Sequence, residues 1–292
     1  MYENGKGTEQ DFTKAANWYL KAADQGDAKA QCNLGLLVEA EKDFIKAVDW
    51  YQKAAGKNNV AAQFNLAVMY ENGEGLTSDI SKAIAWYKKA ATQGDDLASL
   101  RLAKIYTNGL GVKADLTQAA VWLKNAAENG NAEAQFALGV AFDNGQGVNK
   151  SPKQAHHWLD MAASQGHAKA QYYLGLIYEH GNGVEKNYAV AAECYRESAQ
   201  NGFIDAQLAL GDAYANGIGV SQNWGEATKW YYQAARNGEA KAQFALGLIY
   251  ENAKGVKKDL VEAAKWYGEA AKQGNAEAKV KLDKPKKSGF WQ

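Results

Sequence analysis

The sequence predicts an all-α protein, an α/α solenoid of about eight helix-turn-helix repeats, and three observations carry that prediction. One stretch recurs, as AEAQFALGVAFDNGQGV from Ala132, AKAQYYLGLIYEHGNGV from Ala168 and AKAQFALGLIYENAKGV from Ala240. The copies lie 36 residues or a multiple of 36 apart, a period typical of solenoids. Within each period, apolar residues recur twice at spacings of three and four, which predicts two helices.

The glutamine of this stretch sets the register of the repeats. Its equivalents are Gln31, Gln63, Ser99, Gln135, Gln171, Gln207, Gln243 and Lys279, which lie 32 residues apart once and 36 thereafter. We therefore expect one elongated solenoid over residues 1–282 rather than two globular domains. Full repeats should start near residues 28, 60, 96, 132, 168, 204 and 240. A partial repeat starts at residue 1, a C-terminal cap at residue 276, and a basic, aromatic tail fills residues 283–292.

The first helix of each repeat, helix A, begins with the recurring stretch. In the repeat from Ala168 one face of this helix is formed by Ala168, Gln171, Leu174, Gly175 and Tyr178. We expect the helix to end near His180. The glycines that follow, Gly181 and Gly183, supply the left-handed backbone conformation that a helix C-cap and a tight turn need.

The second helix of each repeat, helix B, begins at a column of side chains that accept hydrogen bonds at a helix N-cap. The column is Asp11, Asp43, Asp79, Asp115, Ser151, Asn187, Asn223 and Asp259. Helix B ends at residues that tolerate the left-handed conformation, which are Gly26, Asn58, Gly94, Gly130, Gly166, Gly202, Gly238 and Gly274. We expect Gly175 to let paired helices approach closely, while Tyr178 and Trp158 fill the space towards the next pair.

The full repeat pattern is A-x-A-Q-x-x-L-G-x-x-Y-x-x-G-x-G-V-x-x-D-x-x-x-A-x-x-W-Y-x-x-A-A-x-x-G. It resembles the Sel-one-like repeat, a relative of the tetratricopeptide repeat, from Tyr2 to about Leu282. The resemblance implies a right-handed α/α superhelix that serves as a protein-binding scaffold. In that family such chains act as adaptors in signalling and quality control, and in bacteria as virulence-associated, periplasmic or toxin-neutralising proteins. The partner is left open.

Three departures from the pattern matter. The repeat from Ala28 is four residues shorter and reads LLVEAEKDF between its helices, so we expect a different turn there. Ala253 replaces the first loop glycine of the last repeat, which should weaken that cap. Met1 and Tyr2 align with the end of a helix A whose start is missing, which leaves an apolar side of the first helix B uncovered. Either a shortened chain or a docking or self-association surface explains this.

Composition limits the kinds of partner and the cellular compartments that we expect. The 33 basic and 33 acidic residues cancel, and the sequence lacks the basic footprint of a nucleic-acid-binding protein. No apolar run approaches the roughly 18 residues of a membrane span, and no signal peptide starts the chain. We expect neither nucleic acid nor a membrane span. Localisation stays open between the cytoplasm and the periplasm or exterior, because a mature chain would also lack its signal.

Signatures of catalysis, cofactors and metals are missing from the sequence. It contains no HExxH, CxxC, GxxxxGK[ST] or SxxK motif. His156 and His157 are adjacent on a helix and point about 100° apart, so they cannot share a metal as an i, i+4 pair would. Cys32 and Cys194 occupy apolar columns, and we expect packed thiols that do not bridge each other. We predict no enzyme, no cofactor and no metal site, with a cell-wall or small-ligand enzyme as the alternative from another class.

By analogy with tetratricopeptide solenoids, three positions of helix A should face a concave groove. The position after the glutamine is always apolar, and its column is Cys32, Phe64, Leu100, Phe136, Tyr172, Leu208 and Phe244. It can serve as core or as contact surface. The position four residues later accepts Lys104 and Asp212 and must be partly open. The third position often carries a carboxylate at a helix C-terminus, which the helix dipole disfavours, so it needs either a structural partner or a basic ligand.

We therefore interpret the protein as a non-enzymatic scaffold or adaptor that binds a protein or peptide in this groove. A dedicated inhibitor or immunity-type protein that neutralises one toxin or enzyme is the alternative within that class. The predicted contact residues combine apolar anchors with carboxylates, and they are Phe136, Val140, Asp143, Tyr172, Tyr173, Leu176, Glu179 and Asp212. Aromatic side chains provide much contact area for little lost entropy, which makes the Tyr172 and Tyr173 pair the centre of the predicted site.

Overall fold

The computed structural model describes residues 12–288 and the side chains of residues 14–283, and all regular structure in that range is helical. The helices of this range are α1 (Phe12–Asp24), α2 (Ala28–Ala40), α3 (Phe44–Gly56), α4 (Val60–Asn72), α5 (Ile80–Ala91), α6 (Asp96–Asn108), α7 (Leu116–Glu128), α8 (Ala132–Asn144), α9 (Pro152–Ser164), α10 (Ala168–His180), α11 (Tyr188–Gln200), α12 (Ile204–Asn216), α13 (Trp224–Arg236), α14 (Ala240–Asn252), α15 (Leu260–Lys272) and α16 (Ala276–Ser288). The predicted A helices are even-numbered and the B helices odd-numbered. The chain is an all-α repeat solenoid, as predicted.

The chain forms two compact units. One reaches to Ala141 and includes Gly145–Asn149, and the other consists of Phe142–Asn144 and the chain from Lys150. In both units an A helix packs more extensively on the B helix that follows it than a B helix packs on the next A helix. The helix pair is therefore the basic packing unit. The single solenoid over residues 1–282 stays a prediction, and the predicted partial helix at Met1 and Tyr2, the Asp11 cap and the tail beyond Asp283 lie outside the described side chains.

Side-chain caps start the helices where the sequence predicts. From α3 to α15, every predicted N-cap side chain accepts a hydrogen bond from an amide in the first turn of its B helix, namely Asp43, Asp79, Asp115, Ser151, Asn187, Asn223 and Asp259. The A helices are capped as well, although no cap was predicted for them from the sequence. Asp27, Asn59 and Asp95 cap three of them, whereas Phe203 caps α12 without a side-chain hydrogen bond.

Left-handed residues end the helices, also as predicted. Asn58 adopts a φ of 62° in the column that is otherwise glycine, and Ala253 adopts 56° in place of the first loop glycine. In the shortened repeat the turn differs, with Lys42 at a φ of 63° between α2 and α3. These three residues carry the cost of roughly 1 kcal/mol that glycine avoids.

The close approach of the two helices of a pair is visible at Gly175. A Cβ atom added there would collide with the ring of Tyr195 on α11. The same collision would occur between Gly247 and Tyr267, so the glycine of helix A makes room for the tyrosine of the following helix B. This extends the prediction for Gly175, because its packing partner is the helix B tyrosine. Around each such contact, alanines and leucines form a buried cluster.

Candidate protein-binding surface

The glutamine that sets the repeat register has a structural role. In each described repeat that carries it, the side-chain amide donates to a backbone carbonyl eight residues earlier, near the end of the preceding helix B. Gln171 donates to the Ala163 carbonyl at 3.3 Å, and Gln243 to the Ala235 carbonyl at 3.1 Å. The carbonyl of Gln243 in turn accepts from the amide of Gln273, 30 residues later, at 2.8 Å. The glutamine therefore joins consecutive repeats and is not available to a partner.

The first predicted groove column packs largely against the protein itself. The Tyr172 ring lies 5.6 Å from the ring of Tyr195 and 5.2 Å from that of Phe203, measured between centroids. The ring of Phe244 lies 5.6 Å from that of Tyr267 in the same way. The column therefore contributes mainly to the core, which was one of the two alternatives that the sequence left open.

The carboxylates at the ends of the A helices have structural partners. The hydroxyl of Tyr195 donates to Glu179, and that of Tyr87 donates to Glu71 at 2.7 Å. In the repeat that has Ala215 at this position, the hydroxyl of Tyr231 donates to Asp212 at 2.6 Å. Glu71, Glu179 and Asp212 are therefore each held by a tyrosine of the following helix B, which gives these carboxylates a structural partner at the helix C-terminus. Asp143 belongs to the same column, but the following helix B has Leu159 at the position of the tyrosine.

Two groups in these pairs, the Tyr195 hydroxyl and the Asp212 carboxyl, have raised pKa values. Burial raises the pKa of the Tyr195 hydroxyl, and the adjacent Glu179 carboxylate raises it further. Burial raises the pKa of the Asp212 carboxyl and outweighs the Tyr231 hydrogen bond and the charge of Lys241, which both lower it; the charge of Glu179 adds to the raise. The tyrosines therefore stay protonated donors at neutral pH.

In two repeats a cation joins the pair. The Nε of Arg101 lies 3.2 Å from the Oε2 of Glu71, and the Nζ of Lys281 lies 2.6 Å from the Oε2 of Glu251. Both cations come from the next A-type helix, 30 residues after their carboxylates. These carboxylates are therefore neutralised within the chain.

The predicted contact residues divide between the two units. Phe136 and Val140, both half-buried, belong to the first unit. The other six belong to the second unit, and they are Asp143, Tyr172, Tyr173, Leu176, Glu179 and Asp212. Of these, Tyr172 and Leu176 pack on the cluster around Tyr195, whereas Tyr173 is 36% exposed on α10. The exposed Tyr173 ring and Glu179 belong to α10 and Asp212 belongs to α12, and we call the surface of these two helices the α10–α12 face.

A pocket of about 120 Å³ opens on the α10–α12 face. Glu179 and Asp212 line it together with the Tyr195 ring, and Ala209 is among the alanines that form its wall. Both carboxylates were predicted as contact residues from the sequence, but the pocket was not, because it depends on Ala209 being small where Arg101 and Lys281 stand in their own repeats.

Within residues 14–283 no group of three histidine, cysteine, aspartate or glutamate side chains is arranged to hold a metal ion. No helix in the described part of the chain is long and apolar enough to cross a membrane. Cys32 is buried, and burial raises the pKa of the Cys194 thiol to about 11. Neither cysteine is disulfide-bonded, in line with the packed thiols expected from their columns.

Comparison with known protein families identifies the repeats. The family model described as the Sel1 repeat matches residues 1–27, 28–59, 60–95, 97–131, 132–167, 168–203, 204–239 and 240–275. The chain belongs to the Sel1 repeat family. No curated protein matches the chain.

Two solved Sel1-type structures resemble this one. The first is c5321, a protective antigen of uropathogenic Escherichia coli strains, with 36% identity, a TM-score of 0.87, and coverage of 92% of this chain and 59% of that one. The second is a Sel1 repeat protein of Oxalobacter formigenes, with 33% identity, a TM-score of 0.74, and coverage of 92% and 80%. This chain therefore spans 59% of the length of the Escherichia coli protein. Sel1 repeat proteins are generally non-enzymatic scaffolds that mediate protein–protein interaction.

Proposed function

We propose that this chain is a scaffold or adaptor that binds a protein or peptide partner on the α10–α12 face. The observation that carries the proposal is that α10 bears the 36%-exposed Tyr173, while Glu179 of the same helix and Asp212 of α12 line a pocket in the second unit. The Sel1 family supports the class of function, since its members generally bind proteins.

The chemistry of this face suits a protein partner. Tyr173 offers a large rigid contact area at a low entropic cost, and its ring lies 6.0 Å from that of Tyr172, which is anchored in the core. An aromatic residue supported in this way is typical of an interface hot spot. Leu176 adds apolar area one turn further along α10. The equivalent residues on α8, Phe136, Val140 and Asp143, stay predicted contacts from the sequence.

Site-specific photocrosslinking tests this proposal. A photoreactive phenylalanine analogue is incorporated at position 173 in one variant and at position 229 in another, because Lys229 is exposed on α13 outside this face. Each variant is expressed in the organism that encodes the chain, irradiated, and analysed by mass spectrometry. We expect a discrete crosslinked protein from position 173 and none from position 229.

The proposal fails if position 173 yields no crosslinked protein, or if both positions yield the same set of proteins. The second result would indicate non-specific capture. Unchanged circular dichroism of both variants is the control for folding.

A further inference from the structure

In two repeats the carboxylate of a carboxylate–tyrosine pair also binds a cation of the chain. Glu71 accepts a hydrogen bond from Tyr87 and binds the guanidinium of Arg101, and Glu251 accepts from Tyr267 and binds the ammonium of Lys281. The ammonium of Lys281 also lies 5.9 Å from the centre of the Tyr267 ring. Two repeats thus contain the same three-part arrangement of carboxylate, tyrosine and cation.

The pair formed by Glu179 and Tyr195 lacks the third part. The residue 30 positions after Glu179, equivalent to Arg101 and Lys281, is Ala209. The pocket on the α10–α12 face lies at this place, and Ala209 lines it beside Glu179 and Tyr195. We call this pocket the Ala209 slot.

The charge next to the slot is opposite in sign to the charge at the equivalent position beside Arg101. Three residues after Arg101 stands a second cation, Lys104, whereas three residues after Ala209 stands Asp212. The slot therefore brings together two carboxylates. Among residues 14–283, no lysine or arginine side chain forms an ion pair with Glu179 or Asp212. Burial is the main cause of the raised pKa of Asp212; the charge of Lys241 lowers that pKa, and the charge of Glu179 raises it.

The remaining walls of the slot are apolar. They include Ala191, Ala192 and Ala213 from α11 and α12, with Tyr188 and Ile218 at its edge. Lysine and arginine side chains combine a charged head with an apolar stem, so carboxylates flanked by alanine and aromatic surface match both parts of such a side chain.

We propose that the Ala209 slot binds a lysine or arginine side chain presented by the partner protein, in the place that Arg101 and Lys281 fill in their own repeats. This inference rests on the proposed function and specifies the chemistry of the partner. The cation binds the free oxygen lone pairs of Glu179 and Asp212, while its stem packs against the alanines.

A titration followed by nuclear magnetic resonance tests the slot with defined probes. N-acetyl-arginine amide and N-acetyl-lysine amide are compared with N-acetyl-citrulline amide, which has the shape of the arginine probe without its charge. We expect the amide signals of Ala209, Asp212 and neighbouring residues to shift with the two cationic probes, with at least a tenfold weaker response to citrulline. In Glu179→Gln, which still accepts the Tyr195 hydrogen bond, the response to both cations should fall at least fivefold. Equal responses to arginine and citrulline, or no response to either cation, would overturn the proposal.

A variant that fills the slot from within provides a second test. Ala209→Arg places a guanidinium where Arg101 stands in its repeat, and Ala209→Met provides a neutral side chain of similar reach. We expect Ala209→Arg to melt at a higher temperature than Ala209→Met, and this difference to disappear in the Glu179→Gln background. An arginine that melts no higher than methionine contradicts the inference. If a partner is crosslinked from position 173 but neither cationic probe shifts the signals of the slot, the proposed function stands and only the inference about the slot is rejected.

Discussion

The hydroxyl of Tyr195 donates a hydrogen bond to the carboxylate of Glu179, 16 residues earlier in the chain. The same spacing separates Tyr87 from Glu71, and it shortens to 12 residues between Tyr51 and Glu39, where the connecting turn has lost four residues. The same bond therefore forms in helix pairs whose connecting loops differ in length. It fixes a carboxylate at a helix C-terminus, where the dipole alone would disfavour it.

Tyr195→Phe tests the contribution of this bond. Removing the hydroxyl leaves the ring packing intact but deprives a half-buried carboxylate of its donor, so we expect a loss of about 1.5 to 3 kcal/mol in the free energy of unfolding. Urea unfolding followed by circular dichroism measures it. Tyr188→Phe is the matched control, because its hydroxyl accepts a hydrogen bond from the exposed Lys186 and binds no carboxylate among the described hydrogen bonds. A loss below about 0.5 kcal/mol for Tyr195→Phe would show that the bond adds nothing.

Gln243→Met tests the connection between repeats. The substitution keeps the volume of the side chain but removes the buried bond to the Ala235 carbonyl and the part-buried bond to the Gln273 amide. We expect a loss of roughly 1 to 3 kcal/mol, because buried polar groups lose their partners. The exposed Gln233→Met should change little. If both variants unfold at the same urea concentration as the wild type, the glutamine has no stabilising role.

Ala253→Gly should stabilise the protein. Ala253 holds a φ of 56°, and glycine adopts this conformation without a steric cost, so we expect a gain of about 1 kcal/mol. In contrast, Ala245→Gly within α14 should cost about 0.5 to 1 kcal/mol, because glycine is unfavourable inside a helix. Differential scanning calorimetry distinguishes the two. A lower melting temperature for Ala253→Gly would mean that the alanine methyl makes a contact worth more than the strain.

Asp212→Asn should stabilise the protein in a pH-dependent way. The pKa of Asp212 is raised in the folded state, so the ionised carboxylate costs stability above that pKa, and the cost disappears as the pH falls towards the unfolded value of about 3.9. Asparagine still accepts the Tyr231 hydrogen bond but carries no charge.

We therefore expect the variant to exceed the wild type in stability at pH 7 and to match it near pH 3.5, as measured by urea unfolding at both values. The exposed Asp160→Asn is the control for a general charge effect. A gain of the same size at both pH values would exclude the carboxylate charge as its cause.

The fold was predictable because each element depends on local chemistry. The polar N-cap column, with Asp115 and Asn187 among its members, marks where helix B starts, and the left-handed Asn58 marks where one ends. These signals act within a few residues and recur every 36 residues, so the starts and ends of the helices could be predicted from the sequence.

The candidate surface was only partly predictable. The sequence placed Glu179 and Tyr172 on one helix, but the hydrogen bond from Tyr195 and the packing of Tyr172 depend on residues of the next helix. The Ala209 slot depends on a small side chain 30 residues away from its carboxylate, where the sequence alone gives no sign of proximity. The A-helix caps were predictable in part, because Asp27, Asn59 and Asp95 are ordinary N-cap residues. Histidine and glutamate, as at His167 and Glu239, are less usual at this position.

The most direct measurement is the affinity of the crosslinked partner for the wild type, Tyr173→Ala and Lys229→Ala, determined by isothermal titration calorimetry. If the α10–α12 face binds the partner, Tyr173→Ala should weaken binding by at least about 2 kcal/mol, or about 30-fold, since a central aromatic contact is lost. Lys229→Ala should bind like the wild type, and all three proteins should melt at nearly the same temperature. Equal affinities for Tyr173→Ala and the wild type would contradict this account and place the binding surface elsewhere on the chain.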